Sequence, residues 1–472
     1  MTRSTFNAGL AALALLVTFA GLTGCSEADA DSAQDGSTPA TTSSSAGQAA
    51  VRPLDVPGVP AFDVTEADGV VHVLYAKPLD SDSKAFQLYH VRSDDAGATW
   101  SQPVAVSVAH APPARAHRGD DPQVAARGDR VMALWTAQGE GPFGSGPVAC
   151  ALSDDGGRTW RAGPVAPNAE PLPPSAIPAK PAAPKPAASK EPAAAGPQAP
   201  GAGKSHGHGG MKGSAKGTGP GYRFPAAAAG NDAFHVVWIH AIGEERSLRH
   251  SRLSFGSTRW SEPNLVDPEI CACCWNELKV APDGGLITLY RDVKPSDMVL
   301  ARSGDGGKTW HGAGRAGEFD WQFDGCPHVG GGIATTGTGS DSDAGAIFAS
   351  VWTGDSSDTG AYCVSLDPSG SWSRPIPLTF ADGRGRNTDV AALGGARCAT
   401  VWDQVMPEGS QGVFAAYSTD AGRTWSTPRR VSADGVNAGY PRVVPAGDQY
   451  LVLWTTYGAD GGTALGSALA KP

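Results

Sequence analysis

The chain has no excess of basic charge and no basic stripe. Lys and Arg number 37 against 47 Asp and Glu, a net charge of −10, and the lysines cluster only in one Pro/Ala-rich stretch. That pattern argues against a nucleic-acid partner. Long hydrophobic runs are missing too, apart from one at Ala8–Leu22. That run is shorter than the roughly 20 apolar residues a stable spanning helix needs, and no later run is long enough to cross a membrane. From Ser26 to Ala50 the chain is Ser, Thr, Asp, Ala and Gly with almost nothing to bury. Such a composition forms a flexible tether rather than a folded unit.

The single apolar run follows Arg3 and ends in Leu22-Thr23-Gly24-Cys25. A short apolar core after a positive charge reads as a signal peptide, and its end resembles a bacterial lipobox. The expectation is a signal peptide over 1–25 and a lipid on Cys25, which anchors an otherwise soluble protein to the bacterial cell envelope, facing the periplasm or exterior.

What remains is rich in Gly and in short β-branched runs separated by Gly/Asp/Ser turns, the pattern of an all-β repeat fold. Ser-x-Asp-x-Gly-x-Thr-Trp occurs in full four times, at Ser93–Trp100, Ser153–Trp160, Ser303–Trp310 and Ser418–Trp425. Two worn copies keep the Trp: Ser254–Trp260, one residue short, and Ser365–Trp372, with Ser369 in place of Gly. The chemistry explains the pattern: Asp accepts backbone N–H bonds in a tight hairpin, Gly takes a positive φ, and Trp packs between sheets. This resembles the Asp box, or BNR repeat, of sialidases and related β-propellers.

A β-rich run ending in Tyr75, Trp135, Trp238, Tyr290, Trp352 or Trp402 lies 20 to 25 residues before each box Trp. A seventh run, ending at Trp454, has no box after it, and only Ala464–Ala470 remains to add a strand. The expectation is a β-propeller over 51–472 with seven four-stranded blades, the last completed by a strand from Val51–Val56; six blades is the alternative. Closure by the two termini removes the open sheet edge. Residues 166–221, Pro/Ala/Lys-rich and then Gly/His-rich, read as a disordered insert.

In such a blade the boxes occupy the turns between strands three and four. The blade-to-blade crossings and the strand two–three turns then share the opposite face, at the mouth of the central channel. That face collects the unusual polar residues, and convergent polar groups at a mouth are the default binding site. Sialidases hold a carboxylate with three arginines and attack with a Glu-activated Tyr, an Asp serving as acid/base. The resemblance therefore implies Arg223, Arg291, Arg386, Asp389 and Arg442 as ligand-binding residues, and Asp120, Asp121, Glu277, Tyr290 and Tyr440 as catalytic candidates. The chain departs from that pattern: sialidase propellers have six blades, and Tyr222-Arg223-Phe224-Pro225, the nearest match to their motif before the first box, opens the third blade. Cys-x-Cys-Cys, Tyr-Arg-Asp and Gly-Cys-Pro, within Asp267–Gly332, resemble a bacterial group labelled sialidase-like. The resemblance implies recognition of an acidic glycan, with exo-α-sialidase-like hydrolysis left open. The alternative is a non-catalytic binding or assembly platform for a glycan or protein, monomeric, with a copper or zinc site.

Cys150, Cys363 and Cys398 fall within expected strands and read as buried thiols. Cys271, Cys273, Cys274 and Cys326 fall on neighbouring crossings beside His328. Two readings stand: disulfides that staple the loops, with Cys326 joined to Cys273 or Cys274, or a copper or zinc site. His206, His208 and Met211 in the insert add imidazole and thioether donors.

Overall fold

The computed structural model describes residues 54–79, 85–106, 108, 113, 116–141, 144–164, 221–242, 245–337, 345–381, 383–394 and 396–471. The expected signal peptide, Cys25, the tether and the insert up to residue 220 lie outside them.

The described residues form seven four-stranded antiparallel sheets. Short strand β1 (Val56–Pro57) precedes blade one, which is β2 (Ala61–Ala67), β3 (Val70–Pro78), β4 (Phe86–Ser93) and β5 (Val104–Ala105). Blade two is β6 (Gln123–Arg127), β7 (Arg130–Gln138), β8 (Ser145–Ser153) and β9 (Arg161–Ala162). Blade three is β10 (Gly221–Ala229), β11 (Ala233–Ile242), β12 (Glu245–Ser254) and β13 (Asn264–Asp267). Blade four is β14 (Glu277–Val280), β15 (Leu286–Arg291), β16 (Met298–Ser303) and β17 (His311–Arg315). Blade five is β18 (Gly332–Thr335), β19 (Ile347–Thr353), β20 (Gly360–Leu366) and β21 (Ile376–Pro377). Blade six is β22 (Arg384–Ala392), β23 (Cys398–Val405), β24 (Gln411–Ser418) and β25 (Arg429–Arg430). Blade seven has β26 (Asn437–Ala446), β27 (Gln449–Tyr457) and β28 (Thr463–Ala470), and β1 completes it by pairing Val56 with Leu465 and Pro57 with Ala464. The first strand of each blade contacts that of the next, and β26 meets β2, so the ring closes. The seven-blade expectation and its N-terminal closure both hold.

Each box does the mechanical work its residues suggest. At Asp95, Asp155, Asp305 and Asp420 one carboxylate oxygen accepts a backbone N–H from the box Thr and the other its hydroxyl. Hydrogen bonds, first from Thr99, hold Asp95 down to about 2. The box Trp side chains pack against the clusters between blades, as Trp160 and Trp310 do. The second-strand aromatics, Tyr75 through Trp454, lie on β3, β7, β11, β15, β19, β23 and β27.

Two inter-blade contacts are not evident from the boxes alone. His72 on β3 meets His90 on β4 at 3.0 Å, and His90 sets its ring against Trp160 of the next blade. His235 on β11 and His250 on β12 repeat this at 3.2 Å, against Trp310. The box glycines make room: a Cβ at Gly157 or Gly307, both at φ +86°, would collide with His90 or His250. Burial pushes His72 and His235 down to about 4, and His90 and His250 to about 3, with Arg92 and Arg252 adding to the effect and Asp94, Asp232 and Asp305 opposing it.

Two outcomes follow. A chain beginning at Gly58 should melt below one beginning at Leu54, because it loses the strand that covers β28 and the buried Leu54 side chain, worth about 1.5–3 kcal/mol; equal melting temperatures would contradict the closure. For the histidines, the unfolded chain takes up protons near pH 6.5 while the folded chain stays neutral, so stability is present above 6.5 and falls as pH drops toward 4. Urea midpoints should fall across that window, and less so in His90→Gln and His250→Gln. Identical pH profiles for the wild type and both variants would contradict the buried pairs.

Candidate functional site

At the mouth, crossings feed directly into the inner strands, and three of those strands bulge there: β10 between Arg223 and Ala226, β22 between Gly385 and Thr388, and β26 between Gly439 and Arg442. A bulge re-aims side chains, and here it turns Arg223, Arg386 and Arg442 to different tasks. Arg442 is buried in the channel and pairs with Glu277. Asp63, Asp121 and Asp389 surround it and, with Glu277, keep it charged although burial opposes this. Asp63 is pushed up to about 6 by burial, which Arg442 partly offsets. Its Oδ2 accepts the Val124 N–H at 2.9 Å, and Asp389 Oδ2 accepts that of Val443 at 3.0 Å. Each bond joins one inner strand to the next.

Arg118 closes the mouth above this group. It donates to the Phe62 carbonyl at 2.6 Å, to Asp121 at 2.7 Å and to the Tyr440 carbonyl at 3.0 Å. Its guanidinium lies 4.1 Å from the centre of the Phe62 ring. Tyr440, at φ 53°, donates its N–H to Asp403, and its ring stands 6.2 Å from Trp275. Only about 10 Å³ remains among Arg118, Asp121, Trp275, Tyr440 and Arg442, room for about one water. Below this plug the channel holds 260 Å³, lined by Asp63, Glu66, Gln123, Arg127, Glu277 and Lys279 among others.

The structure gives each expected site residue a set of partners. Tyr290 is buried and donates its hydroxyl to Asp267 at 2.9 Å, and burial, reinforced by Asp267, raises its pKa. Arg291 is 1% exposed and donates to the carbonyls of Ser296, Val329 and Trp352, tying blade four to blade five. Arg291 and Arg442 are both buried and bonded within the protein, Arg442 to Glu277. Asp121 answers Arg118, and Asp389 bonds to backbone. Asp120 is partly exposed and accepts the Phe224 N–H at 3.3 Å. Arg118 was not singled out from the sequence; the charged run His117-Arg118-Gly119-Asp120-Asp121 was the available signal.

Arg223 and Arg386 remain at the surface. Arg386 is exposed, bonds the Pro327 carbonyl at 2.8 Å and lies 5.7 Å from the Trp352 ring centre. Arg223 bonds the Ala272 carbonyl at 3.2 Å and covers the Phe224 ring. His117 and His328 are exposed beside them, and the charges of Arg223, His117 and Arg386 all reach His328. Phe323 stacks on buried Trp321 and is 42% exposed.

The cysteines gather beside this rim. The sulfur of Cys271 lies 3.4 Å from that of Cys273 and 3.8 Å from that of Cys274. These are not bonding distances; all seven described cysteines are free thiols, and the structure does not show the expected staple from Cys326 to Cys273 or Cys274. Cys150, Cys363 and Cys398 are buried, as expected for strand positions. The donor atoms of Cys273, Cys326 and His328 lie within 4.8 Å of one another, as do those of Cys271, Cys273 and Cys274. Burial opposes a thiolate at Cys274, yet hydrogen bonds from Cys271 and Cys273, the Arg291 charge and the Val329 N–H outweigh it and lower its pKa.

These features define a β-propeller with a closed mouth, a cationic rim and a thiol cluster. The model of the BNR/Asp-box repeat family matches residues 416–427, and six boxes on seven four-stranded blades make the chain an Asp-box β-propeller. No curated protein matches it. Among solved structures, a protein of unknown function from Dyadobacter fermentans is 14% identical with a TM-score of 0.44, over 89% of this chain and 96% of that one. A sialidase from Trypanosoma rangeli is 12% identical with a TM-score of 0.45, over 88% of this chain but only 55% of that one. The Hadza microbial sialidase Hz136 is 13% identical with a TM-score of 0.42, over 82% and 74%.

The division of arginines can be measured. Arg291→Ala should lower stability by at least about 2 kcal/mol, because it strands buried carbonyls. Arg223→Ala and Arg386→Ala should each change it by less than about 1 kcal/mol. Urea unfolding reads all three, and a neutral Arg291→Ala would contradict the assignment.

Proposed function

We propose that this protein binds an acidic glycan on the rim of the closed channel mouth and does not hydrolyse it. The observation that carries this reading is the pairing of a plugged mouth with an exposed cationic rim. A glycosidase needs a pocket that seats the sugar ring and presents a nucleophile, and here Arg118, Trp275 and Tyr440 fill that space. Arg223, Arg386, His117 and His328 instead offer donors to an anion lying across the surface, with Phe323 available to an apolar sugar face. Planar guanidinium groups suit carboxylates. The proposed setting is the bacterial cell envelope, with the chain tethered through a lipid on Cys25 and acting as a monomer. A second reading, favoured by the converging sulfurs, is a metal-binding platform.

Calorimetry with sialyllactose and with polyuronate oligosaccharides should show binding that weakens at least tenfold in Arg386→Ala, while a fluorogenic sialoside stays intact. Turnover of the sialoside, or no binding to any acidic glycan, would overturn the reading.

A further inference from the structure

We propose that Cys271, Cys273, Cys274, Cys326 and His328 form a two-centre site for cuprous ions, bridged by the sulfur of Cys273. The inference does not rest on glycan binding, although it places His328, a residue of the same rim, on the metal. Two triads of donors share Cys273: a buried one with Cys271 and Cys274, and an outer one with Cys326 and His328, both exposed. Two sulfurs bound to one metal at about 2.3 Å stand about 3.8 Å apart in a tetrahedron and about 4.0 Å apart in a trigonal plane. The spacings of 3.4 and 3.8 Å around Cys271 approach those values before any ion enters.

The coordination number selects the metal. A structural zinc site takes four protein ligands almost without exception, whereas the donors fall into two groups of three. Cuprous ion accepts soft thiolate ligands, and three such donors with a bridging sulfur suit its low coordination number. The charge also fits. Four thiolates and two cuprous ions leave two negative charges, and two arginines border the cluster: Arg223 donates to the Ala272 carbonyl within it, and the carbonyl of buried Arg291 accepts the Cys271 N–H. Loading is an exchange: each ion displaces thiol protons to solvent, and no electron is transferred because copper enters already reduced. The exposed outer triad gives the ion its point of entry, and the buried triad its place of retention.

The test is an anaerobic titration of the reduced full-length protein with Cu(I) against bicinchoninate, with Zn(II) titrated in parallel. Two Cu(I) per chain are expected, falling to one in Cys326→Ser and in His328→Ala, and to none retained at equal chelator in Cys273→Ser. Cys326 and His328 are exposed, so their variants should keep the wild-type circular dichroism even if Cys273→Ser misfolds. Loss of one ion from each then supports the two-centre site without the buried variant. Retention of a single ion that needs all four sulfurs, preferential retention of zinc, or no retained metal would each overturn the proposal. So would a disulfide from Cys326 to Cys273 or Cys274 that survives the reduction.

Discussion

Seven inner strands can share one axis only if the charges they bring to it are neutralised, and the Arg442 guanidinium is the group on which that balance turns. It stands among Glu277, Asp63, Asp389 and Asp121, which come from four other segments of the ring. A carboxylate removed from water at low dielectric is costly unless paired and hydrogen-bonded. Asp63 and Asp389 meet the second condition through the N–H groups of Val124 and Val443, so the same carboxylates that need the cation also bind neighbouring blades together. Charge balance and blade registration are thus one structural problem with one solution.

That solution limits what the mouth can do. Arg442 and Arg291 hold the scaffold, and Arg118 locks blades one, two and seven over the channel. The mouth arginines that reach the surface are Arg223 and Arg386. The mouth therefore presents guanidinium groups at its rim while Arg118, Trp275 and Tyr440 occupy its centre. Next to the rim, the thiol cluster lies against Arg291, whose carbonyl accepts the Cys271 N–H and whose guanidinium bonds the Val329 and Trp352 carbonyls of the next blade.

The fold was legible because its signals are local and repeated. The Ser-to-Trp box and the second-strand aromatic each report a turn or strand with no knowledge of distant residues, and their count gave the blades. The sorting of residues to the mouth also followed, since strand direction alternates. Individual roles did not follow, because they depend on cross-blade partners. Tyr290 and Arg291 stand at the end of β15 and could face the mouth, but Asp267 and the carbonyls of Val329 and Trp352 draw them inward. The histidine pairs carry a signal of their own in the sequence. His72 and His235 each precede the second-strand aromatic by three residues, and His90 and His250 each precede the box Trp by ten. That register matches blade one to blade three.

The denaturant midpoint of Arg442→Met tests the account most directly, since Met keeps the volume and removes the charge. Leaving Glu277 and Asp389 buried without their counter-ion should cost about 3–5 kcal/mol, with the loss partly recovered at low pH where those carboxylates protonate. An unchanged midpoint, together with loss of acidic-glycan binding, would contradict it and return Arg442 to the role of a ligand-binding residue.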